Sequence, residues 1–139
     1  MIIQLEQSLK GGRILIHLDY SSSNPIYLQI KENIKKLILS GSLAENESLP
    51  SVRTLASSLA INVNTVIRAY RELEAEGYIY SMQGKGNFVS KKEDIQDKEQ
   101  YLEEKIISLV KEAREVNVGK KELIELLNKV YDELEEENK

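Results

Sequence analysis

Apolar residues in the middle of the chain recur at α-helical spacing in three separate stretches. In 25–40, isoleucines and leucines share one face and lysines occupy the others, and Gly41 is placed to end the helix. A shorter stretch at 51–59 and a longer one at 63–76 follow the same pattern. Only residues 60–62 separate these two. The pattern therefore predicts three helices, the last two joined by a tight turn.

Residues suited to the ends of helices flank these three stretches. Asn24 is a suitable N-cap for the first helix, with Pro25 as its first helical residue. Ser51 and Asn62 stand where they can cap the second and third helices, and Gly77 is placed to end the third. These residues support the predicted boundaries.

A short β-hairpin is predicted directly after the third helix. Residues 78–80 and 87–89 have the aromatic and β-branched composition of strands. The segment 83–86 between them contains Gly84 and Gly86, which can adopt a positive φ in a turn. Two helices, a tight turn and a glycine-tipped hairpin together predict a winged helix–turn–helix.

The first 24 residues read as an N-terminal extension. Residues 14–20 form a short apolar run in which Ile14, Ile16 and Leu18 stand at every second position, which predicts a short strand. Residues 1–13 are ambiguous, because the pair Gly11-Gly12 would break any helix that began at Ile2.

Two further helices are predicted at about 98–115 and 119–137, separated by Asn117-Val118-Gly119. A two-helix hairpin cannot bury both of their apolar stripes by itself. The stripes are therefore expected to pack against the rest of the chain or, preferably, against a second copy. The residues expected at that interface are Leu102, Ile106, Leu109, Leu123, Leu126, Leu127, Val130 and Leu134.

The fold class expected from these elements is mainly α with a small β-hairpin (α+β). The predicted plan is the extension at 1–24, a winged helix–turn–helix DNA-binding domain at 25–91 and a helical dimerisation tail at 92–139. The acidic net charge of −4 argues weakly against a nucleic-acid partner. That charge is uneven, however. Residues 25–92 carry nine Lys and Arg against six Glu, whereas 93–139 carry eight against fifteen Asp and Glu.

The residues at the start of the third helix suit DNA recognition. Asn64 and Arg68, four positions apart, are predicted to face the major groove, where Asn pairs with adenine. Thr65 can bond a phosphate or contact a thymine methyl group. Asn62 either contacts DNA or only caps its helix, and Arg68 is either a DNA contact or a solvated charge.

Other contacts are predicted from the second helix and from the hairpin. Arg53 and Ser51 lie at the start of the second helix, and Arg53 can reach a phosphate or a guanine. Lys85 at the hairpin tip is expected to meet DNA, with Gly84 and Gly86 allowing close approach.

Other chemistry is poorly represented in the sequence. There is no cysteine, and the one histidine, His17, is interpreted as a surface or structural residue rather than a metal ligand. We expect no metal, no cofactor and no enzymatic activity, since no catalytic set can be assembled. No apolar run approaches the ~20 residues that a membrane helix needs, which favours a cytoplasmic protein.

Specific motifs from Pro25 to Val89 resemble the DNA-binding domain of GntR-family transcription regulators. The motifs are PIYLQI at 25–30, Gly-Ser-Leu at 41–43, LPSVRTLA at 49–56, NTVIRAYRELEAEG at 64–77 and GKGNFV at 84–89. The short two-helix tail is similar to the YtrA subfamily in particular. Val63 stands where that subfamily usually has proline, and Ala60 where the turn usually has glycine.

The resemblance implies a repressor that dimerises through its C-terminal helices and binds double-stranded DNA at a pseudo-palindromic operator. Many family members carry a large effector domain, whereas about 45 residues follow the hairpin here, so a small-molecule effector is doubtful. The alternatives left open are an activator, an architectural DNA-binding protein and a winged-helix adaptor for protein contacts.

Overall fold

The computed structural model describes residues 2–9 and 12–139, with side chains from residue 16 onward. Gly11, half of the proposed helix-breaking pair, lies outside the described residues. The chain divides into two compact units, Met1–Asp97 and Lys98–Lys139. In chain order the elements are β1 Ile2–Leu9, β2 Gly12–Asp19, α1 Ile26–Leu39, α2 Val52–Leu59, α3 Val63–Ala75, β3 Ile79–Met82, β4 Gly86–Val89, α4 Lys98–Glu115 and α5 Lys120–Glu137.

The N-terminal segment forms an antiparallel hairpin rather than the single short strand predicted at 14–20. β1 was not predicted at all, and β2 begins two residues earlier than expected and ends at Asp19. Ile16 and Leu18 of β2 are buried in the core. The hairpin is also tied to α1, because the Asp19 N–H donates to the Gln29 amide oxygen at 2.8 Å. The extension is thus packed into the first unit.

Helix α1 begins one residue later than the sequence indicated. Pro25, and not Asn24, occupies the N-cap position, and no side chain caps the helix. The Pro25 carbonyl accepts the first helical hydrogen bonds, from the N–H groups of Leu28 and Gln29. The predicted capping role of Asn24 is therefore wrong, because the chain enters the helix through the extended backbone of Pro25.

The core of the first unit lies among α1, α2, α3 and β2. Helix α3 contacts both α1 and α2, and the Tyr70 hydroxyl donates to the buried Pro50 carbonyl at 2.8 Å. Burial raises the pKa of Tyr70 well above its usual range. The core residues include Ile16, Leu18, Ile30, Ile34, Leu55, Leu59, Val66, Ala69, Tyr70, Leu73, Tyr78, Ile79 and Val89.

Four charged side chains join α1 to α3 at the edge of this core. Lys31 is buried, and its Nζ lies 3.2 Å from Glu72 and 2.7 Å from Glu76. Lys35 lies 3.0 Å from the other oxygen of Glu76. Burial opposes the charge of both Lys31 and Glu76, but the hydrogen bonds and opposite charges of their partners, with Glu72 acting on Lys31 and Lys35 on Glu76 as well, together outweigh it. The pKa of Lys31 is therefore raised and that of Glu76 lowered.

The second unit consists of α4 and α5. Asn117 lies just beyond the C-terminal end of α4 and adopts a positive φ of 60°. The Val118 N–H donates to the Ala113 carbonyl at 2.8 Å, which closes this end of the helix. Large apolar side chains are exposed along both helices and at one position between them, Val116; those on the helices are Leu102, Ile106, Ile107, Leu109, Ile124, Leu126, Leu127, Val130, Tyr131 and Leu134. Leu123 is half-buried.

Acid should weaken the first unit by protonating Glu76. Its folded-state pKa lies below 4.5, so its contribution to stability is present above pH 4.5 and is lost as pH falls further. Urea unfolding from pH 7 to pH 3 measures this. The stability difference between wild type and Glu76→Gln should be constant near neutrality and shrink below pH 4.5. It should not exceed about 1 kcal/mol, because Glu76 remains partly in water. A difference independent of pH would contradict the assignment.

Candidate nucleic-acid interface

Ser51 and Arg53 lie at the N-terminus of α2. The Ser51 hydroxyl oxygen accepts from the Thr54 N–H at 3.1 Å and its proton is donated to the Thr54 hydroxyl at 2.7 Å. The predicted capping role of Ser51 is confirmed, and its hydroxyl group is already engaged on both sides. Arg53 is exposed in the first turn, and the first turn carries no acidic residue. This end of α2 therefore favours an anion.

The turn between α2 and α3 depends on Ala60. This residue adopts the left-handed conformation, with φ 55° and ψ 45°. The Ile61 N–H donates back to the Ala56 carbonyl at 3.0 Å, which closes the end of α2. The turn thus keeps the geometry that glycine usually provides, at some steric cost to Ala60.

The N-terminal turn of α3 presents polar side chains outward. Asn62 caps the helix, since its side-chain oxygen accepts from the Asn64 N–H at 2.8 Å. The side chain of Asn64 is exposed and that of Thr65 is partly exposed, whereas Val66 is fully buried. The side chains predicted for base contact therefore lie on the outer face of a helix whose inner face is in the core.

Arg68 is neither free in solvent nor buried. Its side chain is 62% exposed, yet its Nε donates to Glu72 Oε2 at 3.3 Å. Its guanidinium group also lies over the ring of Tyr27, 3.7 Å from the ring centroid. Arg68 therefore remains largely exposed but has two partners within the chain, and neither of its two predicted roles is decided by these contacts. The i,i+4 spacing of Arg68 and Glu72 is visible in the sequence, but nothing local indicates Tyr27.

The hairpin of β3 and β4 carries Lys85 at its exposed tip. Gly84 and Gly86 have φ values of 75° and 104°, and a Cβ on either glycine would meet no atom within 4 Å. These glycines are therefore required by backbone conformation rather than by crowding within the chain. The Lys85 N–H donates to the Met82 carbonyl at 2.9 Å, which closes the turn.

The base of this wing is held by contacts that sequence reasoning missed. Tyr80 and Phe88 stack with ring centroids 5.5 Å apart, and the Tyr80 hydroxyl donates to Asn46 at 3.0 Å. Ser48 forms a β-bridge with Phe88, so the segment before α2 runs beside β4. The wing is thereby tied to the chain segment that leads into the helix–turn–helix.

No group of three or more His, Asp or Glu side chains is arranged to hold a metal ion within the residues that the structure describes. His17 is exposed, and its backbone is bonded to Asn33 of α1. No helix in the described chain is long and apolar enough to cross a membrane.

These features define a winged helix–turn–helix protein of the DNA-binding class. The sequence profile of the gntR family of bacterial regulatory proteins matches residues 26–89. The chain belongs to the GntR family, whose members are transcription regulators and not enzymes.

Relatives and solved structures extend the match beyond the DNA-binding domain. The chain is 35% identical over 119 residues to the HTH-type transcriptional repressor YtrA of Bacillus subtilis, covering 84% of this chain and 92% of that protein. It is 35% identical over 108 residues to the uncharacterized HTH-type transcriptional regulator YhcF of the same organism, covering 76% and 89%. A GntR family transcriptional regulator from Listeria monocytogenes has a TM-score of 0.69 at 32% identity, covering 81% and 98%.

Replacing Ala60 with glycine should stabilise the first unit. A left-handed alanine costs about 1–2 kcal/mol, of which the greater unfolded-state freedom of glycine cancels part. The expected gain in the free energy of unfolding is about 0.5–1 kcal/mol, measured by urea unfolding. Ala75→Gly, at an exposed helical position of α3, should have the opposite sign. A loss of stability in Ala60→Gly would contradict the turn geometry.

Proposed function

We propose that this protein is a homodimeric repressor that binds a pseudo-palindromic DNA operator. The observation that carries the proposal is the outer face of α3, where Asn64 is exposed and Arg68 is held in one place. Both stand on a helix whose opposite face is buried, as a helix inserted in the major groove requires. The name of the Bacillus subtilis relative supports repression as the sign of regulation.

Each group of polar residues has a different proposed role toward DNA. Asn64 and Arg68 read base edges in the major groove, with adenine and guanine as their preferred partners. Thr65 and Arg53 contact phosphate, together with the N-terminus of α2. Ser51 and Asn62 serve mainly as helix caps that shape this surface, since their side-chain oxygens already accept N–H groups.

The wing adds a second point of attachment. Lys85 projects from a tip where Gly84 and Gly86 remove any side chain that would hold the backbone away from DNA. A lysine ammonium group there suits a phosphate or the minor groove. The net positive charge of residues 25–92 supports this role, and the acid is concentrated beyond them.

The helical tail is proposed as the dimerisation unit. The exposed leucines of α4 and α5 form a larger apolar surface than an isolated monomer would leave in water. A second copy of the chain is the partner that also explains DNA binding, since two half-sites require two recognition helices. Two helices are too few to enclose a sizeable effector pocket, so we propose regulation without one in this unit. Binding to the chromosome would place the protein in the cytoplasm.

Base readout by α3 can be separated from simple attraction to phosphate. Arg68→Ala and Asn64→Ala should each cost about 1–3 kcal/mol on a duplex selected from a random DNA pool, and much less on unselected DNA. Lys85→Ala is the control, because a lost phosphate contact should weaken both duplexes alike and lower the salt slope by about one. Equal losses on both duplexes for the α3 variants would contradict base readout. A wild-type protein that retains no DNA at low salt would favour the adaptor alternative.

Dimerisation can be tested at Leu127, which is 51% exposed. Burial of one leucine contributes about 1.5–3 kcal/mol, and a two-fold interface contains two copies. Leu127→Asp adds the cost of desolvating a charge, so it should yield monomers at micromolar concentration. The monomers should bind the selected duplex far more weakly, because the second half-site loses its high effective concentration.

The measurements are molar mass by sedimentation or light scattering, beside titration of the selected duplex. Asn128→Asp is the matched control, since the neighbouring exposed side chain receives the same added charge. That variant should remain dimeric. A dimeric Leu127→Asp protein with normal DNA affinity would overturn the proposed role of the tail.

A further inference from the structure

Tyr27 of α1 and Glu72 of α3 both contact the guanidinium group of Arg68. Tyr27, in the first turn of α1, places its ring 3.7 Å from the guanidinium carbon. Glu72, one turn further along α3, accepts from Nε at 3.3 Å. The other oxygen of Glu72 accepts from Lys31 at 3.2 Å, so this carboxylate is itself held by α1. The guanidinium group of Arg68 is thus contacted on one face by the Tyr27 ring and at Nε by Glu72.

This arrangement leaves the two terminal nitrogens of the Arg68 guanidinium group available to a ligand. Among the residues that the structure describes, Arg68 has a hydrogen-bond acceptor only at Nε, and 62% of its side chain is exposed. Its two terminal nitrogens therefore remain for an external acceptor. A planar pair of N–H donors matches the O6 and N7 atoms of guanine in the major groove. A stacked arginine also loses less rotamer freedom when it binds.

We propose that Tyr27 is a positioning residue for base readout: its ring holds the Arg68 guanidinium group in the orientation that recognises guanine. The inference rests on the proposed function, because it assigns a specificity role within the same DNA-binding surface. Glu72 has a complementary effect. Its negative charge repels phosphate and weakens the general attraction of Arg68 for the DNA backbone, so Arg68 favours base contact over phosphate contact.

A merely structural role for the contact predicts a different outcome. Exposed ion pairs and cation–π pairs contribute little to folding. Tyr27 also packs against the core, so loss of its side chain could weaken the fold without any effect on readout. The deciding readout is therefore discrimination between base pairs, measured on folded protein, rather than stability or total affinity.

The first experiment uses the 139-residue chain and the duplex that wild type enriches from a random DNA pool. Arg68→Ala is titrated against all single-base-pair variants of that duplex, which locates the base pair that Arg68 reads. Tyr27→Leu should lose about three- to tenfold of the discrimination at that base pair and little elsewhere. Tyr27→Phe keeps the ring and is the matched control. It should retain wild-type discrimination, since the Tyr27 hydroxyl makes no hydrogen bond within the described residues and only its ring contacts Arg68.

A second substitution preserves the shape of the ring and so protects the test against misfolding. Pentafluorophenylalanine at position 27 fills the same space but has a ring face that no longer attracts a cation. It should reduce discrimination at the Arg68 base pair as Tyr27→Leu does, with thermal unfolding close to that of Tyr27→Phe. Unchanged discrimination in the fluorinated protein would overturn the role of Tyr27 while leaving DNA binding intact. Failure of wild type to enrich any sequence would instead refute the proposed function.

Discussion

Burial of the inner face of α3 fixes how this helix presents its outer face. Val66, Ala69 and Leu73 are fully buried, and the Tyr70 hydroxyl donates to the carbonyl of Pro50, two residues before α2 begins. A helix held by this many inner contacts cannot rotate about its axis without exposing apolar surface. The orientation of its outer residues is therefore set by the core. The ion pairs of Lys31 with Glu72 and Glu76 add a charged restraint between α1 and α3.

Features determined by neighbours in the chain could be predicted from the sequence. The caps formed by Ser51 and Asn62 are confirmed by their hydrogen bonds to backbone N–H groups. Gly41 and Gly77 do adopt positive φ at the ends of their helices. Such features follow from local sterics and local hydrogen bonding, so composition and spacing are enough to indicate them. The family motifs added the function, which periodicity alone left open.

Features that depend on contacts between distant residues could not be predicted. Strand β1 is stabilised by its antiparallel pairing with β2. The apolar and polar residues within β1 do not alternate clearly enough to predict a strand. Asn24 had a suitable side chain for a cap, but the chain enters α1 through Pro25. The contact of Tyr27 with Arg68 spans two helices and has no local signal. The leucines exposed along α4 and α5 follow helical spacing, which identifies an apolar face but not what covers it.

Methylation protection on the enriched duplex tests recognition by paired α3 helices, because it reports major-groove contact at guanine N7 without assuming any particular operator. We expect two protected, symmetry-related half-sites on one face of the DNA, about one helical turn apart or a multiple of it. Arg68→Ala should lose the protected guanine in both half-sites together. A single unsymmetrical protected site, or protection that survives in Arg68→Ala, would contradict recognition by paired α3 helices.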